Sequence, residues 1–402
     1  MEKTNDSALR SAFLRHVCQT SPEPLGIVVA RARGTKIWDA RGREYLDLLA
    51  GMGVANVGHA NPEVVRAIEA QIRSYLHVAV YGEMVQQPQV ELARQVAELT
   101  PSDLSVVYFT NSGTEAVEGA LKTARKFTRR SRFLAFEGAF HGDTFGALSV
   151  GGNAIYQRPF EPLLSGVELL PFNDTVALSR IDGSVAAVIV EPVQGEGGVR
   201  IPADEFLPAL RRRCSAVGAL LICDEVITGF GRTGRLFACE HWQVVPDILV
   251  LAKALGGGMP LGAFIGRPEI MRTLSVDPPL AHVTTFGGHP VCCAAGLAAL
   301  DYLLRERLPE RAARVGAAWL SELEALTRGT CRVRGKGLLM ALEFDSPEVT
   351  RRFVTRCFEG GLILNWTLHR DTVVRLVPPL TITDDEIAQA NSIMCNALEV
   401  SL

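Results

Sequence analysis

Residues 248–263 read ILVLAKALGGGMPLGA, and the order of residue types in this stretch decides the fold. Four aliphatic residues, Ile248 to Leu251, have the length and composition of a fully buried strand. One alanine later comes Lys253, a residue type that is costly to bury without a partner. The glycines and Pro260 within 254–262 form a compact turn that lets backbone or ligand approach closely. The same grammar recurs upstream in Val106 to Phe109, Phe133 to Phe136, Val185 to Val190 and Leu220 to Cys223. These five apolar runs alternate with helical patterns, which predicts an α/β fold with a mainly parallel sheet covered by helices on both faces. Ligands of such sheets bind at the carboxyl ends of the strands. Glu191 follows one run, Asp224 and Glu225 another, and Lys253 a third. The ends are roughly thirty residues apart, enough for a strand, a crossover helix and the next strand, so Glu191, Asp224 and Lys253 can converge on one edge.

Around this core we expect three parts. Residues 1–55 form an N-terminal segment that contributes to a smaller domain, with a β unit in which Lys36 to Asp39 and Tyr45 to Leu48 flank the turn at Arg41 and Gly42. Residues 56–290 form the large domain. Residues 291–402 form the small C-terminal α/β domain, with helices at Val291 to Leu304 and Arg311 to Thr327, strands at Leu338 to Phe344 and Val373 to Leu376, and a last helix from near Thr383.

Of the 402 residues 48% are apolar and 21% charged, and the net charge of -3 is spread along the chain, which leaves no broad basic surface for nucleic acid. Short basic runs at Arg129, Arg130, Arg132 and Arg211 to Arg213 read as exposed helix faces or ends. Nine cysteines show no CxxC spacing, so we expect reduced thiols, no metal site and no disulfide framework. The N-terminus lacks the apolar core of a signal peptide and no uncharged run approaches a membrane span, which predicts a cytoplasmic protein without a membrane partner.

Desolvation lowers an amine's pKa, so a strand-end lysine suits Schiff-base formation with an aldehyde cofactor. A carboxylate such as Asp224 beside a pyridine nitrogen keeps that nitrogen protonated. Together they suggest pyridoxal 5'-phosphate. Its phosphate needs donors, and Asn111, Ser112, Gly113 and Thr114 lie between a strand and a helix marked by Val117, Ala120, Leu121, Ala124 and Phe127, so the turn sits at a helix N-terminus. Phe140 and His141 follow the strand Phe133 to Phe136 closely enough for an aromatic ring to stack on the cofactor. Each feature has a plainer reading: a buried Lys253–Asp224 ion pair, an ordinary N-cap at Ser112, and a core aromatic at Phe140.

Seven stretches in order resemble the class III aminotransferases, the pyridoxal-phosphate family of ornithine, acetylornithine and 4-aminobutyrate aminotransferases. They are NSGTEAVEGALKTAR from Asn111, FHGDTFGA from Phe140, EPVQGEGGV from Glu191, CDEVITGFGRTG from Cys223, LAKALGGGMPLGA from Leu251, TTFGGHP from Thr284 and VRLVPPLTIT from Val374. The resemblance spans nearly the whole chain and implies a fold-type I transferase acting by a ping-pong cycle on an amino acid or ω-amine donor and a 2-oxo acid such as 2-oxoglutarate or pyruvate. It implies that Lys253 links to the cofactor and shuttles a proton, and that Asp224 holds the ring nitrogen. Ser112, Gly113 and Thr114 would then bind the phosphate, Phe140 and Val226 sandwich the ring, and His141 and Glu191 complete the cofactor site. Thr285 matches a threonine that reaches the phosphate of a neighbouring subunit, implying a homodimer. Arg375 matches an arginine that grips a substrate carboxylate, and Glu196 a glutamate that pairs with it. Two positions depart from the ornithine-type pattern: Ile227 stands where glutamine is common, and His289 where asparagine is.

GFGRTG, with Gly229, Gly231 and Gly234, satisfies a dinucleotide fingerprint, but it begins several residues after the strand and beside two acidic residues that would repel a pyrophosphate. Mutases, racemases and decarboxylases share the cofactor motifs and stand as the alternative chemistry. A non-catalytic regulator is disfavoured because Lys253, Asp224 and the phosphate turn are all present.

Overall fold

The computed structural model describes residues 6–81 and 83–401, with side chains through residue 399. An antiparallel unit opens the fold, with strands β1 (Val29–Arg33), β2 (Lys36–Asp39) and β3 (Glu44–Asp47). The central sheet follows, with β4 (Val106–Thr110), β5 (Arg132–Phe136), β6 (Val167–Leu170), β7 (Val185–Val190), β8 (Leu220–Asp224), β9 (Ile248–Leu251) and β10 (Gly262–Gly266) in the order β4-β10-β9-β8-β7-β5-β6. Strands β5 to β9 pair in parallel, whereas β10 runs antiparallel to both β4 and β9.

The sheet therefore has seven strands where the apolar runs marked five. Strand β6, VELL, carries a charged Glu168 and pairs on one side only, so it never needed an unbroken apolar run. Strand β10, GAFIG, starts and ends in glycine and reads as the tail of the preceding turn, yet all five residues are buried.

Side chains of the inner strands alternate between two apolar clusters. Phe133, Ile189, Ile222 and Val250 face one cluster, with Val117 and Leu121 of the helix Gly113–Thr128. Leu134, Val188, Val190, Leu221, Cys223, Leu249 and Leu251 face the other, which continues into the C-terminal region through Trp319, Leu342 and Leu376. With both faces covered, period-two alternation leaves no polar register, which explains the continuous apolar runs. Phe127, expected on the buried face of its helix, lies in the last turn and stays 37% exposed.

The C-terminal region holds β11 (Arg332–Lys336), β12 (Leu339–Glu343), β13 (Leu362–Ile363), β14 (Asn365–Thr367) and β15 (Arg370–Leu376), with helices Pro290–Arg305, Leu308–Thr327, Pro347–Glu359 and Asp384–Ser401. The four strands ordered β11-β12-β15-β14 form an antiparallel sheet. Strand β13 adds in parallel to β3, so the N-terminal unit shares a sheet with this region. No helix among the described residues is long and apolar enough to cross a membrane.

Candidate active site

A cavity of about 700 Å³ opens at the carboxyl ends of β7, β8 and β9, and it brings together Glu191, Asp224, Lys253 and the turn at 111–114. Lys253 follows β9 by one residue with φ of +49°, a left-handed conformation that costs a non-glycine residue on the order of 1–2 kcal/mol. The side chain lines the cavity. Burial pushes its ammonium pKa down and the Arg375 charge adds to this, while Glu196, Asp224 and Glu191 pull the other way. The net effect favours the neutral, nucleophilic amine.

Asp224 does not pair with Lys253. Its Oδ2 lies 2.7 Å from His141 Nδ1 and its Oδ1 accepts from Val226 N–H at 3.0 Å, and both side chains are sealed from solvent. His141 Nε2 is buried with no partner. Glu191 is likewise committed, one oxygen accepting from Phe140 N–H (3.0 Å) and the other from Gly195 N–H (2.9 Å). Burial raises its carboxyl to about 7, the raising charge of Asp224 opposing the lowering one of His141. Glu191 thereby ties the Phe140 segment to the turn that carries Glu196.

Ser112 caps the helix Gly113–Thr128, its Oγ accepting from Glu115 N–H at 3.3 Å, so the plainer reading holds, and the helix N-terminus still faces the cavity. Thr114 Oγ1 lies 2.7 Å from Thr144 Oγ1. Room here is made by glycine: at Gly142, with φ of +118°, a Cβ would lie 2.4 Å from the Thr114 side chain. Phe140 and Val226 line the same cavity, and Phe140 meets His369 edge-on at 5.8 Å.

Arg375 projects from β15 and is 1% exposed. Its Nη1 donates to Glu196 Oε1 in a very short contact, Nη2 points at Met52 Sδ (3.8 Å), and Nε is buried without a partner. Glu196 Oε2 also accepts from Leu368 N–H at 2.7 Å, and its backbone oxygen from His369 N–H at 3.2 Å. Burial alone would raise the Glu196 carboxyl, but the Arg375 charge and hydrogen bond outweigh it and hold it low.

A second chamber of about 700 Å³ shares Phe140, Glu196 and Lys253 with the first and adds Met52, Tyr156, Trp366 and His369. Tyr156 stacks on His369 (5.2 Å) and donates to Leu368 O at 2.7 Å. The sequence marks none of Tyr156, Trp366 and His369 as lining residues. Tyr81 packs on Tyr108 and lines neither chamber. Thr285 is exposed and lies outside both.

The two departures find local roles. Ile227 is buried, lines the cavity and packs where any side chain at Gly53 would lie 2.7 Å from its Cδ1. His289 caps the helix Pro290–Arg305, its Nδ1 accepting from Val291 N–H at 3.3 Å as an asparagine oxygen would. Within the GFGRTG segment Arg232 is fully buried and donates to the Leu338 and Pro378 carbonyls.

These residues fit pyridoxal phosphate. The cavity offers an amine biased to its neutral form, a fixed carboxylate on the same floor, two side chains able to flank a planar ring, and a glycine-relieved helix N-terminus for a phosphate. Among the described residues no group of His, Cys, Asp and Glu could hold a metal ion.

Residues 17–398 match the family "Aminotransferase class-III". An acetylornithine aminotransferase of Methanopyrus kandleri is 45% identical over 93% of this chain and 95% of its own. A putrescine aminotransferase of Pectobacterium atrosepticum is 45% identical over 90% and 81%. Among solved structures, the ornithine aminotransferase of Toxoplasma gondii superposes with a TM-score of 0.92 at 34% identity, covering 98% of this chain and 95% of that one. An (S)-enantioselective omega-transaminase from Thermomicrobium roseum gives 0.91 at 33%, with full coverage of both. With residues 17–398 matching the family and this cavity at the carboxyl ends of its strands, the chain belongs to the class-III aminotransferases, which depend on pyridoxal phosphate.

Proposed function

We propose that this aminotransferase alternates between an amine donor whose far end lies in the outer chamber and a 2-oxo acid, such as 2-oxoglutarate, a carboxylate of which is held by Arg375. The observation that carries the reading is the Arg375–Glu196 pair, buried beside Lys253 between the two chambers. Pyridoxal phosphate, when bound, supplies an aldehyde that captures an amine and a protonated ring that withdraws electrons from the substrate carbon. Lys253 would be the residue that links to the cofactor, and its amine, biased to the neutral form, would carry a proton to and from the reacting carbon. Asp224, fixed by His141 and Val226 N–H, would present its carboxylate to the ring nitrogen. Ser112, Gly113 and Thr114 would hold the phosphate and Phe140 and Val226 would flank the ring, with Glu191 keeping Phe140 in place.

During the donor half of the cycle Glu196 covers Arg375, so a donor needs no carboxylate there. For the acceptor half, Glu196 swings away and the guanidinium takes the carboxylate with two parallel hydrogen bonds, which an ammonium could not do. The reading includes a homodimer, supported by Thr285 lying exposed outside this chain's own cavity, next to exposed Val283 and Phe286. A cytoplasmic setting is supported by nine free thiols. A racemase or mutase would need no acceptor, so the cofactor-loaded protein is mixed with amino donors and then with 2-oxoglutarate or pyruvate. A spectral change to the amine form that only the keto acid reverses supports the reading. Turnover without a keto acid, or an unchanged 2-oxoglutarate rate in Arg375→Ala, overturns it.

A further inference from the structure

The hairpin that joins β14 to β15 carries two backbone donors, and both end on Glu196. Leu368 N–H donates to Glu196 Oε2 at 2.7 Å and His369 N–H to the Glu196 backbone oxygen at 3.2 Å. The Glu196 carboxylate is therefore held twice, by the Arg375 guanidinium on one oxygen and by a peptide N–H on the other. Arg375 lies on the strand that leaves this same hairpin. One short stretch of chain, 368–375, supplies both donors, so their spacing depends on how the hairpin tip is held.

The tip is pinned from a distant part of the chain. Tyr156 Oη donates to Leu368 O, and its ring stacks on His369, whose Nδ1 lies 3.2 Å from Gly138 O. Leu368 is thus bonded at both ends, by its N–H to Glu196 and by its carbonyl to Tyr156. Tyr156 reaches out from a fixed base, the short helix Ala154–Gln157, which Asn153 Oδ1 caps at Ile155 N–H (3.1 Å) and Gln157 Nε2 ties to Leu148 O (2.9 Å) and Gly151 O (2.8 Å). The turn carrying Glu196 is fixed as well. Glu191 accepts from Gly195 N–H, and Arg334 Nε donates to Gly198 O (2.9 Å) and Val199 O (3.0 Å). With both flanks set, the phenol governs where the Leu368 N–H stands against the carboxylate, and a charge-assisted bond of this kind weakens steeply once misaligned.

We infer that Tyr156 is a positioning residue for recognition of the substrate carboxylate, acting through Leu368 to hold Glu196 on Arg375. When Glu196 swings away to free the guanidinium, it leaves the Leu368 N–H too. The phenol therefore sets part of the balance between the covered and the open Arg375, and the apparent affinity for a carboxylate scales with the open fraction. A looser tip makes such substrates bind more tightly. A plain structural staple has the opposite sign, since its loss weakens binding. The inference rests on the reading that Glu196 gives way to a substrate carboxylate at Arg375, and it applies alike to 2-oxo acids with one carboxylate or two.

The test loads the apoprotein with pyridoxamine 5'-phosphate, so that no donor need be known, and follows its conversion by 2-oxoglutarate or pyruvate. Wild type, Tyr156→Phe, Glu196→Ala and the double variant are compared. Tyr156→Phe keeps the ring and loses only the hydroxyl. Its half-saturating concentration of both oxo acids should fall about two- to tenfold, the scale of one hydrogen bond, with the limiting rate within about twofold of wild type. Glu196→Ala should lower it further, and Tyr156→Phe should add nothing in that background, because the group it acts on is gone. Glu196→Gln serves for the single-variant comparison if the alanine form does not fold. Calorimetric titration of the protein loaded with pyridoxal phosphate by glutarate, which cannot react, should show a Kd lowered in the same order. Half-saturation or Kd that rises or stays the same in Tyr156→Phe, with the Glu196 variant lowered, overturns the inference and leaves the Arg375–Glu196 reading standing. So does a Tyr156→Phe effect that persists in full beside Glu196→Ala. Half-saturation that is not lowered in the Glu196 variant overturns that reading, and the inference with it.

Discussion

The site contains two buried acid–base pairs that differ in what closes them. His141 and Asp224 are 0% and 4% exposed, and the carboxylate has a second, backbone donor. Arg375 and Glu196 are 2% and 15% exposed, and the glutamate stands at the junction of two chambers. A pair sealed on every side keeps one geometry through a reaction cycle. A pair with one partner facing open space can exchange that partner for a ligand, because a carboxylate of the substrate replaces the carboxylate it displaces. The first arrangement suits a constant partner such as the cofactor, the second a substrate that comes and goes.

The strongest way to break the comparison is to remove the fixed charge. Asp224→Asn should lower the donor and the acceptor half-reactions alike, on the order of 10²- to 10⁴-fold, since both depend on the same ring. It also removes the acceptor of a buried imidazole, so thermal stability should fall as well. Rapid-mixing measurements of the two half-reactions check this. A loss confined to one half would mean that the pair is not the constant element.

Arg375→Leu should split the halves that Asp224→Asn lowers together. Losing a charged hydrogen-bonding partner is worth about 1.5–3 kcal/mol, roughly 10- to 100-fold, and it should appear only in the dependence on 2-oxoglutarate concentration. Donor rates should stay near those of the wild type. Steady-state KM for each substrate, measured at saturating co-substrate, reads the split.

The contrast between these pairs was only half visible in the sequence. Asp224, Glu191 and Lys253 ended apolar strands, so the floor of the site followed from the physics of a sheet buried on both faces. Partners were less legible. The sequence leaves a Lys253–Asp224 ion pair open, whereas the fold sets His141 against the carboxylate from a segment 83 residues away. Tyr156, Trp366 and His369 carried no signal, because a chamber assembled from loops and a hairpin has no periodicity to betray it. Strands β6 and β10 escaped for the opposite reason, one being a half-exposed edge and the other bounded by glycines. Arg375 and Glu196 were reached through the resemblance rather than through spacing, since they are 179 residues apart.

Changing the charge of the open pair should also tune Lys253, and in opposite directions from its two ends. Glu196 raises the Lys253 pKa and Arg375 lowers it, both against a larger lowering by burial. Glu196→Gln should therefore move the acid limb of cofactor capture by the apoprotein to lower pH, and Arg375→Leu should move it to higher pH. The measurement is the rate of the absorbance change on adding pyridoxal phosphate across a pH series. Shifts of the same sign in both variants would mean that the pair does not face the amine electrostatically.

The smallest effect concerns a histidine that has no carboxylate to hold it. His141 is locked on Asp224, whereas His289 stacks on His77 at 5.5 Å and uses Nδ1 to accept from Val291 N–H. An acceptor nitrogen must be unprotonated, and burial together with the neighbouring His77 lowers the His289 pKa below its ordinary value. The folded chain thus binds a proton at this position less readily than the unfolded chain. The cap's contribution is complete above the unfolded value of about 6.5 and is lost as pH falls below it toward the lower folded value. An asparagine oxygen has no such dependence. His289→Asn should match the wild type at pH 8 and exceed it by about 1 kcal/mol or less at pH 5, within the usual range for an N-cap. Urea unfolding of both proteins at the two pH values decides it, and an equal stability difference at both would show that the ring is not acting as a neutral acceptor.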